Sequence, residues 1–457
     1  MRTFPVGLDD EIGTTMLSSF TLSNFKSFRE AKLPLGPLTV LIGANAAGKS
    51  NAIEALRLLS WLAQGQKLSS IKYAVNSADR VVRGRVDDLC LRGERFFGLG
   101  CVTDDKTYNR LAMQISIRQG ELHISKEEVK ADGDDVNWLY RMDRPSIDEG
   151  TDAGVAYNNF SSGPNKPHVT VSDQMAVFGQ LDSASSFDFK HEISQETIPP
   201  VAKRFQNLLA NVIFLDPVPA RMRGYSFISD KQLLGDGTNL SSTLYALWGS
   251  DDEATVEPYT TQRAAILGFI QSLPEQDIEN LSFLVGPRSE VMVQLIESFG
   301  KVLRPCDASL LSDGTLRVLA IVAAMLSAPE GSLVVIEEID NGVHPSRARQ
   351  LLDGIRSIAQ RRALRVLLST HNPAMLDALP DEAVGDVVFC YRDPSDGTSK
   401  LIRMSEIPDG PELLVQGSLG HLMTSGVLER FVKNHQHSSD RKNAALEWLA
   451  ALKATGG

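Results

Sequence analysis

Apolar residues fall at two spacings along this chain, and the changes of spacing divide it into regions. Between Met16 and Ile117, SFTLSNFKSF and PLTVLIG carry strand-type residues, and SNAIEALRLLSWLAQ has apolar positions at helical spacing. The expected order is strand, strand, loop, helix, then mixed strands. From Gln119 to Asp307 no such order is visible. The early part, ADGDDVNWLYRMDRPSIDEGTDAGVAYNNFSSGPNKPHV, is rich in Gly, Pro, Asp, Asn and Ser and predicts loops. Helices are expected near 198–210 and 259–271, while Pro199, Pro200, Pro217 and Pro219 interrupt any heptad pattern and disfavour a long coiled coil. Beyond Ser309 regularity returns: an amphipathic helix (314–327), a buried strand (333–336), a second helix (346–360) and another strand (365–369). That alternation predicts a parallel sheet. The terminal NAALEWLAALKA reads as a helix whose Leu446, Trp448, Leu449 and Leu452 can dock on the body or on another chain.

Composition narrows the class. At 457 residues the chain is long enough for one elaborated domain or for two to three. With 42% hydrophobic and 23% charged residues it has an ordinary globular composition, so wholesale disorder is not expected. A formal charge of -11 gives no global basic field, so nucleic acid would need a local patch. The longest apolar run, around Val318 to Leu326, is too short for a membrane span, and Asp9, Asp10 and Glu11 do not suit a signal peptide. Cys90, Cys101, Cys306 and Cys390 are scattered, without zinc-type spacing. The expectation is a soluble, cytoplasmic protein without a membrane partner.

Four segments carry chemistry. Gly43-Ala-Asn45-Ala-Ala-Gly48-Lys49-Ser50 fits G-x-x-x-x-G-K-[ST], between an apolar strand and a helix, which is the context the motif needs. Its glycines let backbone N–H groups close around phosphates, with Asn45 in the loop and Asn51 just beyond it. The helix N-terminus adds positive potential, Lys49 neutralises the β- and γ-phosphates, and Ser50 coordinates Mg2+. An apolar strand ending in acid is the required partner, and Leu333–Ile336 followed by Glu337-Glu338 supplies it. Glu337 would hold the metal, and Glu338 would act as base toward the attacking water. Leu311-Ser312-Asp313-Gly314-Thr315 opens a helix and offers a second anion site, although an ordinary helix cap accounts for it as well. Finally, the strand Leu367-Leu368-Ser369-Thr370 ends at His371, whose imidazole can contact a γ-phosphate or serve as a plain polar strand end.

In this order, these elements resemble an ABC-type ATPase head of the SMC, RecF and overcoming-lysogenization-defect (OLD) kind, over residues 16–118 and 305–392. The resemblance implies an α/β fold: a two-lobed P-loop sheet core with a largely helical insertion and no long coiled coil. Implied boundaries are 16–118 for an N-terminal lobe, 119–304 for the insertion, 305–430 for a C-terminal lobe and 431–457 for a tail. It implies ATP and Mg2+ as cofactors, a signature loop at Ser312, Gly314 and Thr315 acting in trans, a D-loop at Asp340, and His371 as switch. In the opening Asn24-Phe25-Lys26-Ser27-Phe28, Lys26 is expected to approach the nucleotide. Glu337 stands where such heads usually carry Asp, and SDGT replaces SGGQ. Gln64, Gln66 and Gln114 are all conceivable Q-loop glutamines, and His344 is expected to cap the turn before the 346–360 helix.

EEIDNGVHPSR followed by STHNP looks most similar to small OLD-like ATPases of anti-phage defence, such as the ATPase subunits of PARIS, Septu and retron-associated modules. That implies a homodimer or higher oligomer that hydrolyses ATP and controls a separately encoded effector, expected to be a nuclease. After His371 the chain lacks the clustered acids of a two-metal nuclease. Two alternatives stay open. A RecF-like repair ATPase clamping DNA directly would use the basic run Arg80, Arg83, Arg85, Arg92 and Arg95, or Lys433, His435, His437, Arg441 and Lys442 near the tail. A transporter subunit shares the same motifs, but the long insertion and the NFKSF opening argue against it.

Overall fold

A computed structural model describes residues 14–71, 81–134, 136–148, 150–250, 253–271, 278–299, 302–341, 345–407 and 410–434. The tail-helix expectation, His344, Arg80, His435, His437, Arg441 and Lys442 lie outside the described residues.

The N-terminal region supplies β1 (Leu17–Phe25), β2 (Phe28–Pro34), β3 (Leu38–Ile42), α1 (Lys49–Ala63), β4 (Phe96–Thr103) and β5 (Arg110–Arg118). The expected strand and helix alternation is present here. The next stretch differs from its loop-like reading. β6 (Glu121–Lys130), β7 (Trp138–Arg144), β8 (Asp152–Tyr157) and β9 (His168–Ser172) continue β4 and β5 as an antiparallel meander. β7, β8 and β9 are short and the turns between them polar, so turn composition masked the alternation. What holds them is tertiary: Tyr140 donates to Glu127 Oε1 at 2.9 Å, and Glu127 also accepts from the Val177 and Phe178 amides.

The segment 119–304 is therefore mixed, with strands as prominent as its helices α2 (Glu192–Ala210), α3 (Leu240–Trp248) and α4 (Tyr259–Ile270). α2 runs through Pro199 and Pro200. It tolerates the two lost donors because Ile198, Val201, Ala202, Phe205 and Leu209 bury an apolar stripe in the core. This 19-residue helix is the longest among the described residues. β10 (Ile213–Leu215) then joins the main sheet, and β11 (Ser226–Phe227), β12 (Ile278–Val285), β13 (Glu290–Phe299) and β14 (Val302–Asp307) make a second, antiparallel sheet.

The C-terminal part follows its pattern closely: α5 (Asp313–Ser327), β15 (Leu333–Ile336), α6 (Ala348–Arg361), β16 (Arg365–Ser369), β17 (Val387–Arg392) and β18 (Ser399–Arg403). The main sheet has fourteen strands in the order β10-β15-β16-β3-β17-β18-β2-β1-β4-β5-β6-β7-β8-β9. β10, β15, β16, β3 and β17 pair in parallel, so every chemistry-bearing strand end emerges at one edge. Because strand residues alternate between faces, Leu41, Val335 and Leu367 pack with α1 and α2, while Val40, Val334, Val366 and Leu368 pack with α5 and α6. Helices on both faces explain why β3 and β15 are buried at every position. The result is an α/β fold: a fourteen-stranded main sheet with helices on both faces of its parallel part, and a second, antiparallel sheet.

Candidate functional site: a phosphate cleft

The P-loop leaves β3 through two positions that only glycine can occupy. Gly43 has φ +146°, and a Cβ there would lie 2.1 Å from the Cys390 carbonyl oxygen. At Gly48, with φ +124°, a Cβ would sit 2.4 Å from Ser399 Oγ. Ser399 in turn hydrogen-bonds Ala47 O and, at 2.8 Å, Ser27 Oγ, so β18 and the β1–β2 turn brace the loop from behind. α1 starts at Lys49 without a side-chain cap, leaving its first N–H groups for an anion.

The loop opens onto a cleft of about 340 Å³ lined by Asn45, Gly48, Lys49, Ser50 and Asn51 on one side and Glu337, Glu338, Ser369, Thr370 and His371 on the other, with Arg83 and Arg392 at its margin. Lys49 Nζ donates to Gly43 O at 2.6 Å and Ala44 O at 3.2 Å. Burial lowers its pKa against the opposing pull of Cys390, Glu338 and Asp340. A γ-phosphate would take over these donors.

Opposite it, Glu338 has φ +49°, a left-handed turn at the strand end. Its amide donates to Ser369 Oγ at 3.1 Å, and its Oε2 accepts from Asn341 Nδ2 at 2.6 Å. Asp340, nearly buried, accepts from Thr370 Oγ1 at 2.7 Å and lies 3.6 Å from His371 Nδ1, leaving the imidazole half exposed at the cleft. Glu337 is engaged by Arg57, with Nη2 2.7 Å from Oε1, and burial pushes its carboxyl up despite that charge. Asp216, at the end of β10, is likewise pushed up by burial and lies within the field of Glu338 and Arg57. Ser50 and Glu337 both face the cleft, so a hydroxyl, a carboxylate and the nucleotide's own phosphates make a set suited to Mg2+.

The structure thus brings together Gly43, Asn45, Gly48, Lys49, Ser50, Asn51, Glu337, Glu338, Asp340 and His371. Lys26 is different. Its ammonium is taken up by the buried Glu54 carboxylate and, at 2.9 Å, by Arg83 O, so it does not line the cleft. A buried carboxylate demands a cation, and Lys26 supplies it together with Arg83. Arg83, read from sequence as part of a basic run, contacts Asn51 and Glu54 and lines the cleft. Lys433 is paired with Glu429. None of Gln64, Gln66 and Gln114 lines the cleft.

The Ser312 segment sits elsewhere. Ser312 caps α5, accepting from Thr315 N at 3.1 Å, and its exposed loop does not line the cleft. Arg223 clamps this loop through Ser309 O, Leu311 O and the Asp313 carboxylate. Arg57, Asp216, Arg223 and Arg392 escaped the sequence reading, and Arg83 was read only as part of a basic run, not as a cleft residue. Only Arg57, two turns along α1 from Lys49, had a readable cue.

Two family models match the chain. One described as an AAA ATPase domain covers residues 16–141, and one described as "AAA domain, putative AbiEii toxin, Type IV TA system" covers residues 178–377. Over 79 residues the chain is 39% identical to the Old nuclease of Escherichia phage P2, which is 16% of this chain and 13% of that protein's length. Among solved structures it is similar to an Smc head bound to the C-winged helix domain of ScpA (TM-score 0.44, 12% identity, 85% of this chain and 97% of that one). It is also similar to a Pyrococcus furiosus Smc head with an extended coiled coil bound to the C-terminal domain of ScpA (TM-score 0.43, 12% identity, 88% and 99%). No described helix is long and apolar enough to cross a membrane.

Proposed function

We propose that this chain, an ATPase of the AAA/ABC type, works as an ATP-controlled switch in which two copies close over shared nucleotides and thereby govern a separately encoded effector. The observation that carries the reading is the separation of two half-sites. Lys49, Ser50, Glu337, Glu338 and His371 meet in one cleft, whereas the Ser312 loop is held rigid and exposed away from it by Arg223. A cap hydroxyl, helix N-terminus and backbone amides that find no phosphate in their own chain suit the γ-phosphate of a second copy. ATP then joins the copies through Ser312, Gly314 and Thr315, and hydrolysis directed by Glu338 releases them.

In each cleft Lys49 and the loop amides bind the phosphates, and Ser50 with Glu337 would hold Mg2+, which supplies charge neutralisation. Glu338 accepts the proton of the attacking water. His371, steadied by Asp340, reports the γ-phosphate to the β16 end. The anti-phage setting, with an effector nuclease, draws support from the EEIDNGVHPSR and STHNP segments and from the local likeness to the phage P2 protein.

Sedimentation of the purified chain tests the switch. Glu338→Gln with ATP and Mg2+ should sediment as an assembly, Lys49→Ala should not, and Ser312→Arg should bind ATP while remaining unassembled. An unchanged sedimentation coefficient for Glu338→Gln with ATP refutes the shared-nucleotide reading. The effector reading is checked by co-purification with the product of the adjacent gene, and by phage plating with Lys49→Ala. Salt-dependent retention of duplex DNA by the chain alone would favour direct DNA clamping.

A further inference from the structure

Arg57 lies on the P-loop helix two turns beyond Lys49, yet it faces the acidic strand end rather than the loop. Three observations define its place. Nη2 is 2.7 Å from Glu337 Oε1, the guanidinium centre is 4.9 Å from the Phe214 ring centroid, and Nε is buried without a partner. Phe214 belongs to β10 and pairs in register with Val335 of β15, so the ring forms a floor beside Glu337. A guanidinium stacked on an aromatic floor has a fixed plane, and its fork then dictates where the carboxylate sits.

The length of Glu337 matters here. Aspartate would draw the carboxylate back by about one C–C bond, roughly 1.5 Å, which would stretch the 2.7 Å contact beyond hydrogen-bonding range. Glutamate at this position and Arg57 therefore form a matched pair. Only Oε1 is engaged by Arg57, which leaves the other oxygen for the ion.

We propose that Arg57 is a positioning residue for the magnesium site: anchored on Phe214, it grips one oxygen of Glu337 and presents the other to the metal. The inference rests on reading Glu337 as a magnesium-holding group. Hydrogen-bond partners of ligating carboxylates commonly govern metal affinity by about 10–100-fold. A purely structural brace between α1 and β15 would change unfolding without changing how much Mg2+ the nucleotide site needs.

The test uses the full chain and follows binding of a fluorescent ATP analogue as Mg2+ is titrated. Arg57→Met should raise the Mg2+ midpoint about 10–100-fold while leaving metal-free nucleotide binding within about twofold. Arg57→Lys should recover part of the shift. Glu337→Asp should give a similar rise, and the double variant Arg57→Met with Glu337→Asp should be no worse than either alone, because both break one contact.

If Arg57→Met leaves the midpoint unchanged while Glu337→Gln raises it, the positioning role is overturned and the metal carboxylate stands. An unchanged midpoint for Glu337→Gln sinks the magnesium reading itself. Additive shifts in the double variant, or loss of metal-free binding in Arg57→Met, also overturn the proposal. Should Arg57→Met fail to fold, Arg57→Lys and Glu337→Asp keep both charges, and unchanged midpoints in both refute it.

Discussion

Replacing Glu338, the proposed proton acceptor, by glutamine removes its carboxylate and alters little else. The side chain keeps its length, and its backbone stays in the left-handed turn held by Ser369 Oγ. The phosphate donors, Lys49 and the P-loop amides, belong to other elements, so ATP should still bind. A positioned general base contributes about 10²–10⁴ in rate, or about 2.7–5.4 kcal/mol at 1.36 kcal/mol per decade. Asn341 orients this carboxylate through its 2.6 Å bond to Oε2. That bond is solvent-exposed, so Asn341→Ala should cost at the low end of the about 1.5–3 kcal/mol typical of bonds to a charged group, roughly tenfold in rate. Single-turnover hydrolysis of radiolabelled ATP, run beside equilibrium binding, separates the two effects. A Glu338→Gln turnover within about threefold of the parent chain would refute the base assignment, since proton transfer to that carboxylate could not then be worth even one decade.

Lys49→Ala should abolish ATP binding by equilibrium titration, because its ammonium is the main cation poised over the P-loop; retained affinity would show that Arg83 or Arg392 carries the phosphates instead. Gly48→Ala should also lose binding, since its Cβ meets Ser399 Oγ at 2.4 Å in a backbone region closed to alanine; a second change, Ser399→Gly, should not rescue it because φ remains +124°. Arg223→Ala should slow steady-state hydrolysis about tenfold or more without weakening ATP binding, and equal activity would detach the Ser312 loop from turnover. Glu127 gives the pH signature. Burial holds its folded carboxyl up at about 7 against 4.5, so the stability tied to its neutral form is full below 4.5 and fades as pH rises through 7, by at most about 3 kcal/mol. Urea denaturation at pH 5.5 and pH 8 should show that fall, and a Glu127→Gln chain with the same pH slope would discount the assignment.

The parts legible in the sequence are those whose physics is local. Gly43, Gly48, Lys49 and Ser50 sit between a five-residue apolar strand and a helix, and nothing distant is needed to read the loop. β15 and β16 were equally plain, because strands covered on both faces carry continuous apolar runs, here Leu333–Ile336 and Val366–Leu368. The meander β7–β9 was not legible. Its strands are short, its turns carry the composition, and register comes from contacts such as Tyr140 to Glu127.

Charged partners were the hardest to foresee. Lys26 was expected at the nucleotide, but Glu54 of α1 is buried and captures it, an outcome decided by desolvation across 28 positions of sequence. Arg57 meets Glu337 across 280 positions, and Arg223 meets Asp313 across 90. By itself, then, the sequence determined the phosphate loop, the acidic strand end and the parallel core, since each follows from residue spacing within one element. Which cation pairs with which acid, and that the Ser312 loop stands apart from its own P-loop, only the tertiary structure decided, because both depend on how strands distant in sequence are ordered in the sheet.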